Sequence, residues 1–150
     1  MSSNHQREGT RHCSVARALD VVGEKWSLLA IREMMLGTHR FGEMVKNTGA
    51  PRDILTARLR KLEEEGLLER RPYSTRPERY EYHLTELGAT LNSVISVLRQ
   101  WGDDHLAGPE GPPLIFTHSC GHELDVELVC AHCRKPAITM TANRGDVDPL

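Results

Sequence analysis

The hydrophobic period of this chain breaks once, between Gly66 and Thr85, and that break limits the folds open to it. Before it, apolar residues recur at helical spacing; Leu55, Leu59 and Leu62 are the clearest case. Inside it, Tyr80, Tyr82 and Leu84 alternate with Glu81 and His83, the pattern of a half-buried strand. Leu67 to Arg71 is the expected partner strand, with Pro72-Tyr73-Ser74-Thr75-Arg76-Pro77 as the hairpin tip. After it, Thr85 caps one long last helix. The expected class is mainly α with a small β-hairpin wing (α+β): a winged helix-turn-helix, plus a small C-terminal Cys/His-rich β-hairpin module.

Five helices are predicted. The first sets Val15, Ala18, Leu19 and Val22 on one face and ends at Gly23. The second runs from Lys25 to Leu36, with Trp26, Leu29 and Met34 among its apolar positions, and stops at Gly37. The third, from Phe41 to about Lys46, ends at Thr48-Gly49. The fourth follows Ala50, with Pro51 at the first helical position, where a missing N–H costs nothing, and Gly66 closes it. With aromatic residues at 5%, the core must come from Leu, Val, Ile, Met and Ala. Residues 12–106 form the expected winged domain and 107–113 a linker, because Gly108-Pro109-Glu110-Gly111-Pro112-Pro113 cannot propagate a helix. Residues 114–142 form the Cys/His-rich module, while the polar residues 1–11 and the stretch 143–148 are expected to lack fixed structure.

Two short helices joined by a Gly-containing turn, then a hairpin, suit duplex DNA, because the second helix of such a pair fits the major groove. With Leu55, Leu59 and Leu62 buried, the opposite face presents Arg52, Thr56 and Arg60, flanked by Arg58 and Lys61. Guanidinium forks match guanine edges and phosphates, and threonine can meet a thymine methyl or a phosphate. The candidate DNA-contacting set is Arg40, Arg52, Thr56, Arg58, Arg60, Arg76 and Arg79. Net charge is −2, but residues 103–150 hold eight acids against three bases, so the remainder is net positive. That asymmetry fits a basic body with an acidic tail. A bland reading, solvated helix charges next to Glu63-Glu64-Glu65, remains beside it.

The run from Cys13 to Trp26 resembles the opening of the HxlR family of winged-helix regulators, which are MarR-like. So do Arg40-Phe41-Gly42-Glu43-Met44, Leu55 to Leu62, Arg79-Tyr80-Glu81-Tyr82 with Leu84-Thr85, and Gly88 with Trp101-Gly102. The resemblance covers about two thirds of the chain. It implies a dimeric repressor or activator, often responsive to electrophiles or oxidants. Family members often carry a serine that can cap the recognition helix, where this chain has Ala50-Pro51.

Leu87, Leu91, Val94, Leu98 and Trp101 are spaced four, three, four, three, a heptad-like seam for a homodimer. The same stripe, broadened by Ile95 and Leu106, would also serve for packing on its own domain. A two-fold dimer predicts a pseudo-palindromic operator. Cys13 heads the first helix near Arg11, His12 and Arg17, a setting that favours thiolates. The matching cysteine of the resembling family can act as a redox sensor, sometimes through an intersubunit disulfide, so Cys13 is the candidate sensor; an inert thiol is the alternative.

The tail carries His118-Ser119-Cys120-Gly121-His122 and Cys130-Ala131-His132-Cys133, with an alternating stretch, Glu123 to Val129, suggesting a small hairpin between them. Cys120, Cys130 and Cys133 with His118 or His122 could hold a structural zinc, although no cofactor is required. A metal-free hairpin with reduced thiols is the rival. A catalytic dithiol has the right spacing but lacks the βαβ context. No P-loop, GxGxxG or HExxH occurs, so an enzyme is not expected. A winged-helix protein–protein adaptor with a zinc-stabilised tail is the alternative function. No apolar run approaches the roughly 20 residues of a membrane span, and the polar Met1-Ser2-Ser3-Asn4-His5 lacks a secretory core. The expected location is cytoplasmic, with DNA and a second copy as partners and the effector unassigned.

Overall fold

The structure, a computed structural model, describes residues 13–138. The expectations for residues 1–11 and 143–148, for Arg11 and His12 beside Cys13, and for the module's last residues, 139–142, lie outside the described residues.

The elements run α1 (Ser14–Val22), α2 (Lys25–Met35), α3 (Phe41–Thr48), α4 (Arg52–Glu64), β1 (Leu68–Thr75), β2 (Glu78–Leu84), α5 (Glu86–Ala89) and α6 (Leu91–Leu106). The mainly helical body with one antiparallel hairpin is the expected winged helix-turn-helix. α2 is its central strut: Ala30, Ile31 and Met34 are buried against Met44 of α3, Leu55, Leu59 and Leu62 of α4, Leu67 and Leu68 at the wing base, and Ile95 of α6. Truncating such a leucine to alanine typically costs 2–5 kcal/mol.

One buried charge fixes α2 against α3. Glu33 is 3% exposed; it accepts hydrogen bonds from Asn47 Nδ2 at 2.8 Å and Arg32 Nη2 at 2.6 Å. Burial pushes this carboxyl up, but the Asn47 and Arg32 hydrogen bonds outweigh it and hold the group below its ordinary value.

Several expectations change. α1 buries only Val22; Val15 and Leu19 are exposed, so its apolar face does not turn wholly to this chain's core. In α2, Leu29 is only half-buried and Ala30 and Ile31 take the core positions, while Leu36 is the exposed C-cap. Pro51 is the N-cap of α4 and Arg52 its first helical residue. β1 extends through Pro72, Tyr73, Ser74 and Thr75, so the tip shrinks to Arg76-Pro77. The register runs from Leu68 opposite Leu84 to Thr75 opposite Glu78, with a bulge at Tyr73.

The last helix is two. Thr85 caps α5 as expected, its Oγ1 accepting from Gly88 N at 3.1 Å and donating to Gly66 O at 2.6 Å. The helix then breaks at Thr90, whose hydroxyl donates to Leu87 O at 2.6 Å. Beyond α6, the expected small hairpin is not a strand pair. Among the described residues this segment has only single bridges, Thr117 to Glu123 and Val129 to Pro136, each closing a short loop. Arg99 Nη2 donates to Leu124 O at 3.2 Å and Val126 N to Gln100 Oε1 at 3.2 Å, which seats the segment on α6.

Candidate nucleic-acid interface

The turn between α3 and α4 sets the helix pair. Gly49 takes φ 71°, the left-handed region that glycine enters freely, and its N–H closes α3 on Val45 O at 2.9 Å. Thr48 Oγ1 donates to Met44 O at 2.6 Å and accepts from Ala50 N at 3.2 Å, and Ala50 is buried under the turn. No side chain caps the start of α4, so its first amides stay available to an external acceptor such as a phosphate oxygen.

With Leu55, Leu59 and Leu62 buried, Arg52, Thr56 and Arg60 are all exposed. The Arg52 guanidinium lies over the Phe41 ring, 4.9 Å from its centroid, which restrains a long side chain. Thr56 Oγ1 donates to Arg52 O at 2.8 Å. Its proton is thus engaged within the helix, and in this rotamer the methyl group is what Thr56 offers outward.

The wing completes a concave surface. Arg40, Phe41, Gly42, Arg52, Tyr73, Glu78, Arg79, Tyr80 and Tyr82 line an open cleft of about 330 Å³. The base of β2 is stitched to the body: Tyr82 N donates to His39 O at 2.8 Å, His39 Nδ1–H to Tyr82 O at 2.9 Å, and the His39 and His83 rings stack at 4.0 Å. Arg40 sits over the Tyr73 ring at 4.4 Å and pairs with Glu81 at 3.3 Å. Hydrogen bonds from His83, then Arg40, hold the Glu81 carboxyl below its ordinary value, so it stays ionised beside Arg40.

The candidate residues therefore separate. Arg40, Arg52 and Arg79 share the cleft, Thr56 and Arg60 continue along α4, and Arg76 stands exposed at the wing tip. Among the described residues Arg52, Arg60, Arg76 and Arg79 make no ion pair within 4.0 Å. Arg58 is not brought to this face. It lies about 200° around the helix from Thr56, half-buried and 3.8 Å from Glu24. Lys61, on that side too, donates to the carbonyl of Asp20. Sequence reasoning missed Phe41 and Tyr73 as the platforms under Arg52 and Arg40; both aromatics are visible in the chain, but their pairing depends on how the wing folds back.

The other candidate sets are scattered. Of the proposed seam, Leu87 lies on α5 and Leu91 packs on the core, while Val94, Leu98 and Trp101 are exposed on α6. Cys13 is the half-buried N-cap of α1. In the tail, Cys120 Sγ lies 3.7 Å from His122 Nδ1, and His118 Nδ1 accepts from Cys120 N at 3.3 Å. Cys130 is hydrogen-bonded by the amides of Cys133 and His132 and by the Cys133 thiol, which together hold its thiol below the ordinary value. Among the described residues no three His, Cys, Asp or Glu side chains gather into a metal-holding group. No helix among them is long and apolar enough to cross a membrane.

Comparison with known proteins agrees with this geometry. Residues 21–109 match the HxlR-like helix-turn-helix family model. An uncharacterized HTH-type transcriptional regulator of Mycobacterium tuberculosis (strain H37Rv) is 51% identical over 131 residues, covering 87% of this chain and 81% of the relative. The crystal structure of PA1607, described as a candidate transcription factor, superposes with TM-score 0.78 at 32% identity, over 91% of this chain and 97% of that one. The redox regulator HypR in its reduced form gives TM-score 0.57 at 34% identity, over 61% of this chain and 92% of HypR. With its buried α4 core face, its wing and this span of similarity, the chain belongs to the HxlR-like helix-turn-helix family and is a transcriptional regulator with a DNA-binding winged fold.

Proposed function

We propose that the protein acts as a homodimer, without catalysis, and represses transcription by occupying a pseudo-palindromic operator. The observation that carries this reading is the exposed Arg52–Thr56–Arg60 face of α4, whose two arginines make no ion pair among the described residues, continuous with a cleft that also holds Arg40 and Arg79. Arg52, braced on Phe41, reads a guanine edge or meets a phosphate at the start of the major groove. Thr56 offers its methyl to thymine, and Arg60 follows further along the groove. Arg76 and Arg79 grip the flanking backbone from the wing. Arg58 takes no part; it braces α4 against the start of α2.

Two Cys13 thiols, one from each protomer, supply a redox response in the same reading. An oxidant such as diamide accepts their two electrons and two protons, and an intersubunit disulfide forms. HypR, a structural neighbour, is a redox regulator, which supports looking for this chemistry here.

The experiment is fluorescence anisotropy on duplexes taken from the gene's own promoter, across a salt series. A dimer that neutralises several phosphates should lose affinity with a log–log slope of roughly −5 or steeper. Arg52→Ala should lower affinity for the operator by about 1–3 kcal/mol and flatten sequence preference. Arg79→Ala should weaken all duplexes alike and reduce the slope by about 1. Scrambling either half-site should weaken binding strongly. Equal affinity for single and paired half-sites, or a flat salt response, is the result that ends this reading.

A further inference from the structure

The segment after α6 cannot hold itself together by burial. No residue from 114 to 138 is fully buried, and Leu114, Ile115, Leu128 and Ile138 are exposed. A stretch this short and coreless needs a staple to keep one shape. Its two loops carry the materials for one.

Each loop is closed by a single antiparallel bridge, Thr117 to Glu123 and Val129 to Pro136. Each turns back through a left-handed residue directly after a cysteine: Gly121 at φ 88° follows Cys120, and Arg134 at φ 60° follows Cys133. Arginine rarely adopts that region, and among the described residues Arg134 is the one non-glycine that does. The result is two knuckles. In the second, Arg134 N donates to Cys130 O at 2.8 Å and Cys130 N to Lys135 O at 2.9 Å, which turns the amides of His132 and Cys133 onto the Cys130 sulfur.

The first knuckle carries the independent observation. Zinc–sulfur bonds of about 2.3 Å and zinc–nitrogen bonds of about 2.0–2.1 Å, at a tetrahedral angle, put the two donors roughly 3.6 Å apart. Cys120 Sγ and His122 Nδ1 stand 3.7 Å apart. His118 does not compete through the same atom, because its Nδ1 already accepts the Cys120 amide.

We propose that Cys120, His122, Cys130 and Cys133 are the four ligands of one structural Zn2+, which draws the two knuckles together within a chain. The four donors are present as two pairs, not as one cluster. All four lie on exposed or half-buried loops outside the core. Between the knuckles, Leu124 and Val126 are tied by their backbone to Arg99 and Gln100, so the ion would fix this segment's seat on α6.

The test uses the full-length chain without a polyhistidine tag, purified reduced and passed through a weak chelator. Metal analysis should find one Zn2+ per chain. Replacement by Co2+ should give tetrahedral visible bands with charge transfer from three thiolates. Cys120→Ala, Cys133→Ala and His122→Ala should each lower metal affinity at least about tenfold, and His118→Ala should not. Far-ultraviolet circular dichroism of each variant shows that the winged body is intact. Protein that carries no zinc, half an ion per chain, a two-thiolate cobalt spectrum, or loss on His118→Ala in place of His122→Ala would each overturn the proposal.

Discussion

Single residues do work here that their types alone do not announce. Thr56 looks like a hydroxyl for DNA, yet its proton is engaged on Arg52 O at 2.8 Å. Arg58 looks like one more cation on the recognition face, yet it pairs with Glu24 on the far flank. Cys13 is where residue chemistry becomes a prediction. It occupies the N-cap of α1 and is half-buried, which restricts but does not bar oxidants. Treating the wild type with diamide should change operator affinity by about tenfold or more, the scale of a coupling energy near 1.4 kcal/mol. It should also produce a dimer band on a non-reducing gel. Cys13→Ser should bind DNA normally and lose both effects. If Cys13→Ser responds to diamide as the wild type does, the sensor lies elsewhere.

At the scale of elements, the packing of one glycine ties the base of the wing to α5. Gly88 is buried in α5, and a β-carbon there would stand 1.9 Å from Leu67 O and 3.2 Å from a Leu84 methyl. The backbone at the wing base cannot step aside without breaking the bond from Thr85 N to Leu67 O, 3.1 Å. Gly88→Ala should therefore cost about 1–3 kcal/mol or more through overpacking, read as a lowered denaturant midpoint. An unchanged midpoint would mean that α5 is free to move off the wing. The same region explains what the sequence disclosed and what it hid. Leu55, Leu59 and Leu62, and the alternation Tyr80-Glu81-Tyr82, are periodic within their own elements, so α4 and β2 could be read directly. The interruption at Thr90, a residue that keeps right-handed helical dihedrals, has no proline or glycine of its own to announce it; around it Gly88 packs closely on Leu67 while Leu91 packs on the core. That is a tertiary constraint, as is the pairing of β1 out to Thr75, which register imposes on a stretch that looks like a turn. Arg52 over Phe41 and Arg40 over Tyr73 were hidden for the same reason: the partners meet only after the helices and wing fold together.

At the scale of the molecule, α6 poses a solvation problem that a second copy would solve. Val94, Leu98 and Trp101 are each a little over half exposed, on an apolar stripe whose neighbouring edge, through Leu91 and Ile95, is packed on the core. The seam is narrower than the spacing of five apolar residues suggested, because Leu91 is used internally and Leu87 is set apart by the break at Thr90. What remains is a cluster of exposed apolar side chains on one helix, the kind of patch that marks an interaction surface. Pairing two such faces about a two-fold axis would bury them and present two α4 helices to major grooves one turn, roughly 34 Å, apart. Leu98 is the informative position because it is central to the exposed stripe and outside the core. Leu98→Glu sets two carboxylates against each other across the axis, and each loses water if the dimer forms. We expect at least a hundredfold weaker self-association by sedimentation velocity, about 2.7 kcal/mol. Affinity for a two-half-site operator should fall in parallel. The melting profile of the isolated chain should change little, since exposed substitutions rarely shift stability by more than about 0.5 kcal/mol. A Leu98→Glu protein that still sediments as a dimer and grips the full operator would place the symmetry axis on another face, with the exposed Val15 and Leu19 of α1 the next to mutate.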